Sequence, residues 1–192
     1  VAYAAFCYGA YEEAVPAAEK ELELASGKQA LNISNIQCLR ILGDIYSRQN
    51  NLAKATEVYK RFFNLAEIEK EQRSQMYWDA CAKLADIYRR DGLFKEAQTT
   101  YKLGIDWWKA HGNPDTPWAP RALYGYALSL FAQGDYKGAE EALKEATSLC
   151  KKVGPVDPAL QGAIRKVYID TLYHTNILHA ISVQLGEGED KH

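Results

Sequence analysis

Apolar residues in this chain fall at helical spacing in segments of about fifteen residues, separated by short polar turns. The clearest stretch runs from Met76 to Trp108. Tyr77, Cys81, Leu84, Ala85 and Tyr88 stand at i, i+3 and i+4 intervals and make one apolar stripe on a helix. Asp91-Gly92 breaks the stripe, because glycine is free to take positive φ. A second helix is predicted through Phe94, Ala97, Tyr101 and Ile105 to Trp107-Trp108, and His111-Gly112-Asn113-Pro114 stops it. One ring of the Trp107-Trp108 pair is expected in the core and the other at the surface. Upstream, Leu39, Leu42, Gly43 and Tyr46 precede a turn at Asn50-Asn51, then Leu52, Ala55, Tyr59 and Phe62 follow. Downstream, Leu123, Tyr126, Ala127 and Leu130 precede Gly134-Asp135, then Tyr136, Ala139, Leu143 and Ala146.

These segments keep a register. Ala14, Ala55, Ala97, Ala139 and Ala180 follow one another at intervals of 41, 42, 42 and 41 residues. Three positions before each alanine is a bulky apolar residue: Tyr11, Leu52, Phe94, Tyr136 and Ile177. Five before it are Gly9, Asn50, Gly92, Gly134 and then Thr175, four of which tolerate a left-handed turn. Thirteen before it are Leu42, Leu84, Tyr126 and Val167. A fixed period of this size predicts stacked helical hairpins, an all-α, right-handed α-solenoid. The array is read over 1–185: a partial unit 1–28, units at about 29–72, 73–113 and 114–155, and a degenerate unit 156–185, followed by a flexible tail over 186–192. Small residues at Gly43, Ala85 and Ala127 are expected to face the alanine ladder, with tyrosine or phenylalanine filling the wedge between units.

Composition fits this picture and narrows the function. Among 192 residues the net charge is −2, which excludes a general nucleic-acid or anionic-membrane binder, because neutralising phosphates needs a basic surplus. No apolar run is long enough for a transmembrane helix. Cys7, Cys38, Cys81 and Cys150 have no metal-type spacing, and Cys38 and Cys81 fall on apolar faces, so reduced thiols in a cytoplasmic compartment are expected. Val1 stands in mid-pattern, as if the chain were part of something longer.

The chain resembles the tetratricopeptide repeat (TPR), whose pattern couples Leu-Gly-x-x-Tyr on a first helix to Ala-x-x-x-Phe on a second. The matching residues are Leu42-Gly43-Asp44-Ile45-Tyr46 with Ala55-Thr56-Glu57-Val58-Tyr59, and Leu84-Ala85-Asp86-Ile87-Tyr88 with Ala97-Gln98-Thr99-Thr100-Tyr101. The tryptophan of the family is replaced by Leu39, Cys81 and Leu123, and the period exceeds the usual figure of about 34 residues. The longer form is similar to the repeats of kinesin light chains.

The resemblance implies a protein-interaction scaffold whose first helices line a concave groove. Carried onto this sequence, the groove positions that stand out are Arg40, Asp44, Arg48, Asp86, Arg89, Arg90, Arg121, Tyr124, Phe131 and Arg165, with Asp79, Leu128, Ile169 and Leu172 beside them. Six arginines face three aspartates on that surface in a chain that is negative overall. Arginine suits carboxylates, so the expected partner is a protein or peptide with acidic residues and a bulky apolar anchor, as in the tryptophan-and-acid cargo peptides that kinesin light chains bind. The same spacings are also those of plain solvated pairs, Arg40 with Asp44 and Asp86 with Arg90. Leu128, Ile169 and Leu172 also fit a core role. A chaperone-tail carboxylate clamp is excluded, because Asp44 and Asp86 stand where that clamp has asparagine. A ligand-gated regulatory or sensor domain, and a self-assembly module acting through its end repeats, remain as alternatives.

Catalysis finds no motif. Asp170 and His174 lie four apart on a helix with no third ligand at suitable spacing, and there is no phosphate loop, nucleophile elbow or His-Glu-x-x-His. No catalytic residue, metal or cofactor is expected.

Overall fold

A computed structural model of the chain describes residues 2–24, 33–68, 75–110, 116, 118–153 and 156–189. These residues form helices α1 (Ala2–Cys7), α2 (Tyr11–Leu24), α3 (Ile33–Arg48), α4 (Leu52–Ile68), α5 (Gln75–Arg90), α6 (Phe94–Ala110), α7 (Trp118–Ala132), α8 (Tyr136–Lys152) and α9 (Pro158–Glu189), with no strand among them. The chain divides into two compact units, Val1–Gly92 and Leu93–His192. In the first, α1 pairs with α2 and α3 with α4, α2 lies against α3, and α5 packs on α3 and α4. In the second, α6 lies against α7, α7 pairs with α8, and α9 packs mainly on α8.

The register read from the sequence is the register of the turns. Gly9, Gly92 and Gly134 have φ between 75° and 79°, and Asn50, at 59°, is the one non-glycine among the described residues with positive φ. Each sits just past a first helix, where a left-handed residue ends the helix while its last carbonyls stay bonded. Thus Asn51 N–H donates to the Tyr46 carbonyl at 2.9 Å, and Asp135 N–H to that of Leu130 at 3.0 Å. Asp135 also accepts from the Gly138 amide at 2.9 Å and caps α8.

The alanine ladder has one structural meaning. Ala14, Ala55, Ala97 and Ala139 are wholly buried, and their amides donate to Ala10, Asn51, Leu93 and Asp135, the residues that open the second helices. Each alanine is therefore the fourth residue of its helix, at the point where that helix enters the core. Close approach is enforced at Gly43, where an added Cβ would lie 2.7 Å from the Tyr59 ring, and at Gly125, where it would meet the Tyr101 ring and hydroxyl. Tyr59 and Tyr101 fill these gaps and are fully buried; Tyr101 meets the next repeat, which is the wedge role expected, whereas Tyr59 fills the crossing within its own repeat. Trp108 is buried and Trp107 half-buried.

The last repeat departs from the expectation of a helical hairpin over 156–185. It is one 32-residue helix, α9, running through the position where the earlier repeats turn. Thr175 stands there in place of glycine or asparagine, and its hydroxyl donates to the Thr171 carbonyl at 3.0 Å inside the helix. Residues 186–189, expected in the tail, belong to α9, whereas 190–192 and the His111–Asp115 segment lie outside the described residues.

Candidate partner-binding surface

In the first unit the candidate residues come from α3 and α5, and a buried carboxylate organises them. Asp44 is only 6 % exposed. It accepts hydrogen bonds from the Tyr59 hydroxyl, from Lys83 Nζ at 2.8 Å and from Arg40 Nη1 at 3.2 Å. Three helices, α3, α4 and α5, meet on that one side chain. A buried carboxylate is tolerated when its lone pairs are satisfied and cations balance it. Burial, the Asp44 charge and the Asp44 hydrogen bond together hold the Tyr59 phenol well above the usual tyrosine range. Asp44 is therefore not a solvent-facing groove residue. Its pairing with Arg40 does exist, as part of this buried node rather than as a simple solvated pair.

Lys83, which the sequence reading passed over, is central to the node. It bridges Asp44 and Asp79, each at 2.8 Å. Its signal was present as the i+4 partner of Asp79, but the reach to Asp44 joins residues far apart in sequence and no local pattern encodes it. Arg89 pairs with Asp86 at 3.2 Å. The expected pairing of Asp86 with Arg90 is replaced by this one, and Arg90 instead donates to the Asn50 side chain and the Ser47 carbonyl, fastening the α3–α4 turn. Arg48 is exposed at the end of α3.

In the second unit Arg121 is exposed near the start of α7, and Tyr124, Leu128 and Phe131 follow along it, all half-buried. Phe131 belongs to an aromatic cluster. Its ring lies edge-on to Tyr136 at 5.1 Å and to His174 at 5.5 Å, and Tyr136 stacks on His174 at 4.6 Å with 8° between the planes. On α9, Arg165 is exposed, Leu172 is half-buried, and Ile169 is 59 % exposed, so Ile169 has no core role in this unit. Tyr173, which the sequence reading did not single out, is 65 % exposed one turn beyond Ile169.

Two cavities lie beside these residues. One of about 410 Å³, between α2, α3 and α4, is lined by Glu19, Glu23, Tyr46, Glu57, Lys54 and Arg61 among others. There the Tyr46 hydroxyl donates to Glu19 at 2.8 Å, and burial with that bond pushes its pKa up to about 12. The other, of about 250 Å³, lies between α8 and α9. The cysteines are free thiols. Burial pushes Cys38 and Cys81 up to about 12, helped at Cys38 by Glu21, so neither is a thiolate near neutral pH. Among the described residues no three His, Cys, Asp or Glu side chains are placed to hold a metal, and no helix is long and apolar enough to cross a membrane.

Comparison with known proteins places these elements. The family described as the MalT-like TPR region matches residues 1–183. Among solved structures, a point variant of the nearly identical TPR-like repeats assigned to a kinesin light chain of Podosopora anserina is 16 % identical. It has a TM-score of 0.70, with 97 % of this chain and 88 % of that one covered. BtubC (BKLC) from P. vanneervenii, also 16 % identical, gives 0.71 over 96 % of this chain and 78 % of the other. No curated protein matches the sequence. The fold is that of kinesin-light-chain-like TPR solenoids, and it is the fold of a protein-interaction scaffold. Helix-turn-helix units in a 41–42-residue register, glycine or asparagine at each closed turn and an alanine at each crossing thus have one common source: the chain belongs to the MalT-like TPR region family.

Proposed function

We propose that this chain binds a partner protein through a peptide segment carrying acidic residues and a bulky apolar anchor, acting in the cytoplasm by binding rather than by catalysis. The acidic residues are assigned to Arg40, Arg48 and Arg89 in the first unit, with Asp44 and Asp86 orienting them, while Arg90 is taken up by the Asn50 turn. The anchor is assigned to Tyr124 and Phe131 in the second, with Arg121 and Arg165 attracting charge nearby. The observation that carries the reading is the Asp44 node: buried and bonded on three sides, it holds Arg40 in place before any partner arrives. A side chain held in advance loses less entropy on binding. Free, high-pKa thiols suit a reducing compartment.

The test is fluorescence anisotropy with an array of labelled acidic peptides, each bearing a single Trp, Phe or Leu. Binding that weakens as salt rises, and by about tenfold or more in Arg40→Ala, Arg89→Ala or Arg121→Ala, supports the assignment. Affinity unchanged in all three variants overturns it. A second reading, self-association through the end repeat, is favoured by the exposed apolar residues Ile169, Tyr173, Ile177 and Leu178 on α9.

A further inference from the structure

The cavity between α8 and α9 is set apart by the sign of its walls. The 410 Å³ cavity of the first unit carries both signs, with Glu19, Glu23 and Glu57 beside Lys54 and Arg61. The space between α6, α7 and α8 likewise has Lys102 and Lys109 beside Asp106 and Glu145. Around the 250 Å³ cavity the charged residues are Lys151 from α8 and Arg165 from α9, both cations on facing walls, and no carboxylate lines it. Neither is joined to an acid among the described residues.

The repeat register shows what a cation at this place takes. Lys109 on α6 is bound at 2.8 Å by Glu145, which α8 brings over it as the second helix of the next repeat. One period later Ile105, Lys109 and Leu123 become Thr147, Lys151 and Ile164, and all three line the 250 Å³ cavity. There α9 runs on without turning back, so no second helix carries a carboxylate over Lys151. An ammonium whose counterpart holds a carboxylate faces an open cavity instead.

The remaining walls suit the body of an acid. Ile164 is 2 % exposed, and Tyr168, at the register position of Gly43, Ala85 and Ala127, adds a half-buried ring, so the two form an apolar floor. Gln161 gives one N–H to the Val156 carbonyl at 3.2 Å and keeps a second for an incoming oxygen. Burial raises the pKa of Cys150, so that wall holds a neutral thiol and adds no repelling charge. Pockets for drug-sized ligands begin at about 300 Å³, so this one fits a smaller body, a single ring or a short chain.

We infer that the α8–α9 cavity binds a small carboxylic acid, its carboxylate held between Lys151 and Arg165 and its apolar body laid against Ile164 and Tyr168. The inference goes beyond the peptide reading and shares only Arg165 with it. A guanidinium fork and an ammonium reaching from two helices give the carboxylate charge-assisted hydrogen bonds on both sides.

The experiment is fluorine NMR of para-fluorophenylacetate titrated with the full chain under reducing conditions, beside para-fluorophenylacetamide as the neutral analogue. Wild type is compared with Lys151→Gln and with Lys152→Gln, which removes a neighbouring cation of the same helical turn that does not line the cavity. Circular dichroism monitors folding. The expected result is saturable binding of the acid with a Kd of about 1 mM or tighter, weakened about tenfold or more for the amide and in Lys151→Gln, and unchanged in Lys152→Gln. The acid should also raise the Tm of the wild type and leave that of Lys151→Gln where it was. Absence of saturable binding overturns the inference, as does equal binding of acid and amide. Equal losses in the two lysine variants also overturn it, because they mean general attraction of an anion to a basic helix end. A blocked Phe-Asp dipeptide that binds through Lys151 where the free acid does not would assign the cavity to a peptide side chain and overturn the small-acid ligand. Arg40→Ala and Arg89→Ala should leave acid binding unchanged, which keeps the failure of this site distinct from failure of the peptide surface.

Discussion

The α7–α8 hairpin and α9 carry the same repeat and reach different ends. Both descend from one 41–42-residue pattern, both keep the ladder alanine, and both have an apolar residue three places before it. Yet α7 stops at Ala132 and the chain reverses at Gly134, whereas α9 runs on to Glu189. The register alone therefore specifies helices and their faces, and closing a hairpin needs two further permissions. One is a residue at ease with positive φ at the turn; the other is a small residue where the helices cross. Gly134 and Ala127 grant both in the fourth repeat, and Thr175 and Tyr168 deny both in the fifth.

The crossing position is the most severe test. Gly43→Val would drive its side chain into the buried Tyr59 ring and should cost about 3 kcal/mol by overpacking. Tyr168→Val, at the same repeat position in α9, should cost well under about 1 kcal/mol. Urea unfolding followed by circular dichroism gives both numbers, and similar losses at the two sites would erase the distinction.

One position further on, Asp44 is the equivalent of Ile169. Asp44→Ala removes the acceptor shared by Tyr59, Lys83 and Arg40, and because Lys83 is partly exposed we expect a loss of about 2 kcal/mol. Ile169→Ala removes an exposed side chain and should lie within about 0.5 kcal/mol of wild type. Unfolding midpoints that fall equally would mean that the node is not what ties α3 to α5.

The turn gives a smaller contrast. Gly134→Ala forces a Cβ into the left-handed region and should cost about 1 kcal/mol. Thr175→Ala, inside a helix, should be neutral or stabilising by about 0.5 kcal/mol. Thermal melts that shift in the same direction would contradict the account of why α9 does not turn.

The gentlest probe is pH. Tyr59 and Tyr46 in the first unit have raised pKa values in the folded protein, Tyr46 to about 12, so the unfolded chain loses those protons first. Their contribution is fully present below the ordinary tyrosine value of about 10 and is lost as pH climbs from there through the folded value. The urea midpoint should fall above that pH, and less steeply in Tyr59→Phe; a flat profile would deny Tyr59 that role.

Much of this was legible beforehand. Gly9, Asn50, Gly92 and Gly134 were marked as turn residues by register alone and all have positive φ. The ladder alanines from Ala14 to Ala139 were marked as crossing points and are wholly buried. Periodicity shows such features because they are local and repeat. The Asp44 node was not legible, since it depends on Tyr59 and Lys83 arriving from other helices and occurs once. The open form of α9 was half legible: Thr175 was noted as irregular, but the jump from Gly43, Ala85 and Ala127 to Tyr168 carried the sharper message and went unread. Which arginines join the proposed surface lay outside the reach of spacing, because Arg90 spends its guanidinium on the Asn50 turn.

The unequal setting of the cysteines has a practical consequence. Cys38 and Cys81 are buried and held as thiols by pKa values of about 12, Cys150 is half-buried with its own value raised, and Cys7 alone is exposed. A maleimide dye at neutral pH should therefore attach at Cys7 well before the other three, giving a singly tagged chain without mutagenesis. Because Cys7 closes α1, far in sequence from α9, that fluorophore would report on the N-terminal repeat and leave the C-terminal one chemically untouched.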